Sequence, residues 1–386
     1  MNIGIVSTYP PRECGLASFA KDLCDNLCLH GQNVKIIAMT DRNSNYEYTE
    51  EVMFEIHEEV KDDYLIASEV VNASNLDVVL LQHEYGIFGG ADGVNILKFT
   101  ERLKKPCILT THTVLTVPTY RQKKILMELA DRSKAVICMT RRSAEILNEV
   151  YRVSLNKIYI IPHGVPKFEK KDRNRLKEKY GFSGRPVVTT FGFIGPGKGI
   201  EIGILAINKL KNKFPDILYI VAGETHPKLK KSEGEVYRDS LLKLVEQLSL
   251  EKNVYFINKY ISLEELGEIL YMTDVYLTPY PGRHQAVSGT LSYAIGCGRA
   301  IVSTPYEYSL EMLKNERGLV SSSPDPDQLS LLIEKVLSDE ILKAKLEKNA
   351  AKLGETMLWP NVAKSYIEII EELLGVKLKR SASEDV

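Results

Sequence analysis

The sequence predicts an α/β fold of two domains, each built on a parallel sheet, and three observations carry the prediction. Short apolar runs alternate with longer amphipathic segments along the whole chain, the pattern of repeated β-α-β units. At 386 residues the chain exceeds what one hydrophobic core ordinarily serves. Near the middle, Pro162-His163-Gly164-Val165-Pro166 breaks the alternation, and a charged stretch from Lys167 to Lys179 precedes its return. An N-terminal domain over 1–165 and a second domain from 166 are therefore expected.

In the first half, strands are expected at Ile3–Ser7, Val34–Ala38, Val78–Gln82, Ile108–Thr111, Val136–Met139 and Ile158–Ile161, with helices at Ser18–Leu29 and Tyr120–Arg132 among the segments between them. The second half repeats the rhythm with strands at Val187–Phe191, Leu218–Ala222, Val254–Ile257, Val275–Thr278, Ile301–Ser303 and Gly318–Val320. Helical patterns at Pro326–Leu337, Ile341–Gly354 and Val362–Leu374 close the chain, and Ser381–Val386 reads as a frayed tail.

Composition narrows the function classes. Hydrophobic residues at 44% and charged residues at 26% are ordinary globular values. Lys plus Arg (50) nearly balance Asp plus Glu (51), so the net charge of -1 gives no general reason to expect a nucleic-acid partner. The six cysteines form no CxxC pair and mostly lie in apolar patterns, as reduced buried thiols do. Met1 leads directly into a strand pattern, and no run reaches the ~18 apolar residues of a spanning helix. A cytoplasmic protein without a transmembrane segment is expected, monomeric or homodimeric, with a peripheral membrane contact left open.

Five segments could carry chemistry. Tyr9 to Ala17, between the first strand and helix, holds Gly15 at a helix start, where free N–H groups suit an anion. Gly192-Phe193-Ile194-Gly195-Pro196-Gly197-Lys198-Gly199 follows the first strand of the second half. Its glycines, Gly195 and Gly197 among them, clear space, and Lys198 adds a full charge within reach of a phosphate. Its spacing fits neither a Walker A loop nor GxGxxG. Pro281 to Ser292 follows the strand Val275–Thr278. Arg283, His284 and Gln285 precede a helix start formed by Ser288, Gly289 and Thr290, a second nest of donors. Helix capping explains Ser288 equally well. In the first half, Gln82-His83-Glu84-Tyr85-Gly86-Ile87-Phe88-Gly89-Gly90 and Thr110-Thr111-His112-Thr113 place polar groups at two strand ends, where burial is costly unless something is bound. The histidines lack zinc-site spacing, and no GxSxG elbow is present.

Taken in order, these residues resemble the retaining glycosyltransferases of family four, also called group 1, over nearly the whole chain. The resemblance rests on the loop around Gly15, His112, Ile161-Pro162-His163-Gly164-Val165, Phe191-Gly192 through Lys198-Gly199, Val221-Ala222-Gly223-Glu224 and Ala294 to Thr304. It implies a GT-B fold: two Rossmann-like domains facing across a cleft, acceptor side over 1–165 and donor side over 166–359. Trp359 and a helix over about 360–380 return the chain to the first domain.

By the same resemblance, Gly15 approaches the donor diphosphate, His112 lies near the transferred sugar, and Lys198 holds the phosphates as they leave. Donor contacts are further expected from Gly195, Gly197, Tyr260, Arg283, His284, Gln285, Ser288, Gly289, Thr290 and Tyr293, acceptor contacts from His83, Glu84 and Phe88, and catalysis from His112, Lys198 and Glu84. A nucleotide-diphosphate sugar acts as co-substrate, with no cofactor and no metal required.

The sequence departs from the family pattern in three ways. Phe193 stands where an arginine usually does, so Arg283 is expected to supply that charge. Gln285 and Tyr293 replace the two glutamates spaced by seven residues, and His163 replaces an asparagine. The implied reaction is hexose transfer, with GDP-mannose as the suggested donor. A GT-B-like phosphorylase or epimerase, or a nucleotide-sugar-binding homologue without turnover, stays open.

Overall fold

The computed structural model describes residues 1–41 and 44–375, apart from the side chain of Lys228. The expected final helix beyond 375 and the tail Ser381–Val386 lie outside the described residues. In chain order the first elements are β1 (Asn2–Ser7), α1 (Gly15–Leu29), β2 (Asn33–Thr40), β3 (Val52–His57), α2 (Lys61–Ala73), β4 (Val78–His83), α3 (Ile96–Arg102), β5 (Cys107–Thr111), α4 (Tyr120–Arg132), β6 (Ala135–Cys138), α5 (Arg141–Glu149) and β7 (Ile158–Ile160). Next come α6 (Arg173–Lys179), β8 (Val187–Phe191), α7 (Ile200–Leu210), β9 (Leu218–Ala222), α8 (Pro227–Glu233), α9 (Val236–Gln247), β10 (Val254–Ile257) and α10 (Leu263–Met272). The chain continues through β11 (Val275–Thr278), α11 (Gly289–Gly296), β12 (Ile301–Ser303), α12 (Glu307–Met312), β13 (Leu319–Val320), α13 (Pro326–Ser338), α14 (Glu340–Thr356) and α15 (Trp359–Leu373).

Two compact units result: Met1–Gly164 joined by Leu358 onward, and Val165–Met357. The first holds a seven-stranded parallel sheet in the order β3-β2-β1-β4-β5-β6-β7, the second a six-stranded one in the order β10-β9-β8-β11-β12-β13. In each, the first strand of the unit lies beside a strand that comes later, β4 beside β1 and β11 beside β8. Those are the points where strand order reverses and where open α/β sheets take ligands at their carboxyl ends. The loop of Gly15 and the motif at His83 leave the first switch point, and the Gly192 and Pro281 segments leave the second.

Both cores follow from the apolar runs. Val6, Ile37, Val79, Leu81, Leu109 and Val136 line one face of the first sheet with Val71, Phe99, Leu126 and Ile146 from the helices. Val188, Val221, Val275, Leu277 and Val302 do the same in the second, against Ile204, Ile207, Leu241 and Ile333. Strand β3 was not anticipated. It is an edge strand, half-buried along Val52 to Glu55, and the Glu55 within it blurs the apolar run.

The C-terminal helix α15 packs with α1 in the first unit. Trp359 meets Phe19 edge to face at 4.9 Å, the Tyr366 hydroxyl lies 3.1 Å from that of Thr110, and a Cβ on Gly164 would come within 2.3 Å of the Trp359 ring. Among the described residues, no helix is long and apolar enough to cross a membrane.

Candidate functional site

In the second unit, β8 ends at Phe191, and the chain turns through Gly192 at φ 120°, where a Cβ would lie 3.1 Å from the Thr290 methyl and 3.6 Å from Lys198 Nζ. One 3-10 turn, Pro196–Lys198, then leads to Gly199, which starts α7 in the left-handed conformation at φ 60°. A side chain there would collide with the Pro279 carbonyl oxygen at 2.1 Å. The loop after β9 zips onto this one: the Ile194 N–H donates to Glu224 O at 2.8 Å and the His226 N–H to Ile194 O at 3.0 Å. Gly223 has to pass so close to Gly192 that a Cβ would sit 2.2 Å from its carbonyl oxygen.

Lys198 is the charged centre of this loop. Its Nζ donates to Tyr280 Oη at 3.0 Å and lies 4.6 Å from that ring's centroid. Tyr280 Oη is 2.7 Å from Thr290 Oγ1, which is 3.2 Å from Ser288 Oγ, and Ser288 caps α11 by accepting the Leu291 N–H at 3.3 Å. Tyr280 is fully buried and stacks on Tyr306 at 5.0 Å. Burial pushes its phenol up, but the Lys198 ammonium and the hydrogen bonds from Lys198, Thr290 and Ser288 outweigh this and hold it below the ordinary value. Lys198, Ser288 and Thr290, chosen from two separate motifs, thus come together through Tyr280. Sequence reasoning passed over Tyr280, although it follows strand β11 by two residues and immediately precedes Pro281.

The remaining donor-side residues are placed differently. Arg283 and His284 are exposed, with His284 Nδ1 3.4 Å from Glu307 Oε1. Gln285 Nε2 donates to Val287 O at 3.1 Å. Tyr293 stacks on Phe191 at 6.1 Å and meets Phe168 edge to face at 6.0 Å, so it belongs to an aromatic cluster. Phe193 packs against His226 at 5.5 Å. Tyr260 is 61% exposed beyond edge strand β10. Gly195 is extended at φ -174°, and Gly197 has nothing around its Cβ position.

In the first unit, Gly15 starts α1 behind Cys14, whose thiol accepts the Ala17 N–H at 3.4 Å. At the end of β5, His112 Nε2 lies 2.9 Å from Gln82 Oε1 and its ring meets Phe19 at 4.7 Å. Phe19 also meets His163 at 5.3 Å. Burial, then the neighbouring His163 and His83, push His112 down to about 3. Burial likewise takes His83 and His163 down to about 4. All three are neutral imidazoles at neutral pH, able to hydrogen-bond a hydroxyl without attracting an anion.

Glu84 accepts from Thr113 Oγ1 at 2.5 Å and from the Tyr85 N–H at 3.0 Å, while burial raises its carboxyl above the usual range. His83 is wholly buried between Tyr85 and Phe88, with no hydrogen-bond partner for either ring nitrogen. Phe88, expected on the acceptor side, is 3% exposed and belongs to the core. The adjacent Gly89 is there for packing, since a Cβ would fall 1.6 Å from Glu58 O. Among the described residues, no three or more His, Cys, Asp or Glu side chains are grouped so that they could hold a metal ion.

The family profile described as Glycosyltransferase Family 4 matches residues 14–167, and that described as Glycosyl transferases group 1 matches residues 172–353. The chain belongs to the group 1 glycosyltransferases. An uncharacterised glycosyltransferase of Methanocaldococcus jannaschii is 27% identical to this family member over 207 residues, which is 52% of this chain and 48% of the relative. A GDP-mannose-dependent α-(1-6)-phosphatidylinositol monomannoside mannosyltransferase of Mycolicibacterium smegmatis is 26% identical over 173 residues, 43% of this chain and 42% of that one. The chain spans about half the length of the curated relatives it matches. The solved structure of a glycosyltransferase from Rickettsia africae superposes with a TM-score of 0.78 at 17% identity, covering 97% of this chain and 98% of the other, and the fold is GT-B.

Proposed function

We propose that this group 1 family member is a retaining hexosyltransferase, moving a sugar from a nucleotide-diphosphate donor to a carbohydrate or other hydroxyl acceptor without a required metal. One observation carries the reading: Lys198 is fixed at the switch point of the second sheet, its ammonium tied through Tyr280 and Thr290 to the start of α11. A cation, a helix N-terminus and glycine-cleared backbone are the features that stabilise charge developing on a leaving diphosphate. The donor would lose its diphosphate through an oxocarbenium-like state while the acceptor hydroxyl attacks from the same face. In the first unit, His112 and Glu84 would serve the sugar and the acceptor. Neutral His112 suits a sugar hydroxyl, and the carboxyl of Glu84, raised above its usual range by burial, suits proton exchange.

Mannose is the favoured hexose, supported by the GDP-mannose dependence stated for the mycobacterial relative. A second reading, nucleotide-sugar binding without turnover, is favoured by Tyr293, an aromatic residue packed on Phe191 where the family resemblance has a glutamate.

A thermal-shift screen against GDP-, UDP- and ADP-sugars, with and without magnesium, is the test, because a ligand that binds only the folded state raises apparent stability. A selective shift that survives chelation, followed by transfer to an added acceptor, is expected. A shift without transfer would favour the second reading. No shift with any nucleotide would overturn both.

A further inference from the structure

We infer that Gln82 is a positioning residue for His112: its amide oxygen holds the ring proton on Nε2, so that Nδ1 presents a lone pair and takes a sugar through a hydroxyl that the sugar donates. This role rests on the proposed transfer, in which His112 serves the sugar.

Backbone register brings the two side chains together. Gln82 in β4 pairs with Thr110 in β5, and the His112 N–H extends that ladder by donating to His83 O at 3.0 Å. Side chains two residues apart share one face of a sheet, so Gln82, Thr110 and His112 stand on the same side. There His112 Nε2 lies 2.9 Å from Gln82 Oε1. An amide oxygen only accepts, so Nε2 carries the proton. Phe19 of α1 meets the ring edge to face at 4.7 Å and steadies its plane. His112 is half-buried, and among the described residues its Nδ1 has no hydrogen-bond partner.

Packing alone does not account for Gln82. Its side chain is wholly buried, and its Nε2 has no partner among the described residues; nor has Ser7 Oγ in the adjacent strand β1. A buried amide paired at one end only is less stable than an apolar side chain of similar size. The four preceding positions of β4, Val78 to Leu81, are all apolar. The bond to His112 is therefore what the amide contributes at this position.

Burial, with His163 and His83 nearby, pushes His112 down to about 3 and keeps the ring neutral. A neutral imidazole has one donor and one acceptor nitrogen, and the bond made by one sets the role of the other. With the Nε2 proton given to Gln82, Nδ1 accepts. A sugar hydroxyl can donate to it, whereas a carboxylate in the same place would set lone pair against lone pair.

The test is nitrogen NMR of the full chain with isotope-labelled histidine rings, because the shifts of the two ring nitrogens tell which one carries the proton. The chain has seven histidines, and His112→Gln identifies the signal. Without any sugar nucleotide, the wild type is expected to show His112 protonated on Nε2. Gln82→Glu keeps an acceptor oxygen and should keep that signature. Gln82→Met keeps the bulk and removes the acceptor, so the proton should move to Nδ1. On the donor found by the screen, Gln82→Met should lower kcat about tenfold. Melting curves check folding; if the methionine variant melts early, the wild-type and Gln82→Glu spectra decide. A wild-type ring protonated on Nδ1 would overturn the inference, since Gln82 would then turn its NH2 toward the ring. So would a folded Gln82→Met variant that keeps the proton on Nε2 or the wild-type kcat. Absence of transfer by the wild type would strike the proposed reaction instead, and the spectra, recorded without donor, would still decide the tautomer.

Discussion

A lysine side chain has four rotatable bonds, so its charge acts at one place only if something holds it there. Here Tyr280 does, through a 3.0 Å hydrogen bond and the face of its ring. Lys198→Ala should therefore lower kcat about 100-fold, as removal of a charge-stabilising donor does. It should leave the fold within about 1 kcal/mol, the worth of one hydrogen bond. Tyr280→Phe keeps the ring and loses the bond, so a smaller loss is expected, about tenfold. Steady-state kinetics on the donor found by the screen, beside melting curves, check both. Equal losses in the two variants would mean that Tyr280 meets the donor itself. Lys198 stood out in its motif as a lysine among glycines at a helix start. Its partner did not, since nothing in the local pattern says that a residue 82 positions later shares its loop.

At the level of elements, most strands and the helices α4 and α13 to α15 coincide with the runs read from the sequence, because a strand buried on both faces must be apolar throughout. Glycines were legible as turns, but the reason for each is a contact. Gly199 is required twice over, by φ 60° and by the Pro279 carbonyl 2.1 Å from where a Cβ would sit. Gly199→Ala should cost about 1–3 kcal/mol in urea unfolding and weaken donor binding, since the start of α7 would have to move. Unchanged stability would mean that this helix start is not held as described. The glycine pair at Gly89 and Gly90, by contrast, fits the β4–α3 connection against the β3–α2 turn.

For the whole molecule, the two units differ in what acid does to them. His83, His112 and His163 are all in the first unit, with values lowered to about 4, 3 and 4 against an unfolded value near 6.5. Their contribution is complete above that unfolded value. As pH falls from it toward the folded values, the unfolded state binds more protons and stability is lost. Asp22, raised to about 6 by burial, and Glu84 act in the opposite direction, but two carboxyls do not cancel three imidazoles. In the second unit, hydrogen bonds from Lys171, Lys179 and Tyr180 hold Glu268 down to about 2, so its loss comes later. The one tryptophan, Trp359, belongs to the first unit. On acidification below about pH 6, its fluorescence should change while much of the far-UV circular dichroism persists. Coincident transitions would sink this ordering.

The sequence by itself determined the two α/β units and the loops at which their sheets can take a ligand. Those properties follow from local periodicity, glycine and charge, which neighbouring residues carry. Tertiary structure alone decided the Lys198–Tyr280–Thr290 network, the packing of Tyr293 against Phe191 and Phe168, the burial of Phe88, and the neutrality of three histidines. Each depends on distance between residues far apart in the chain, and desolvation and hydrogen-bond geometry are set by those distances.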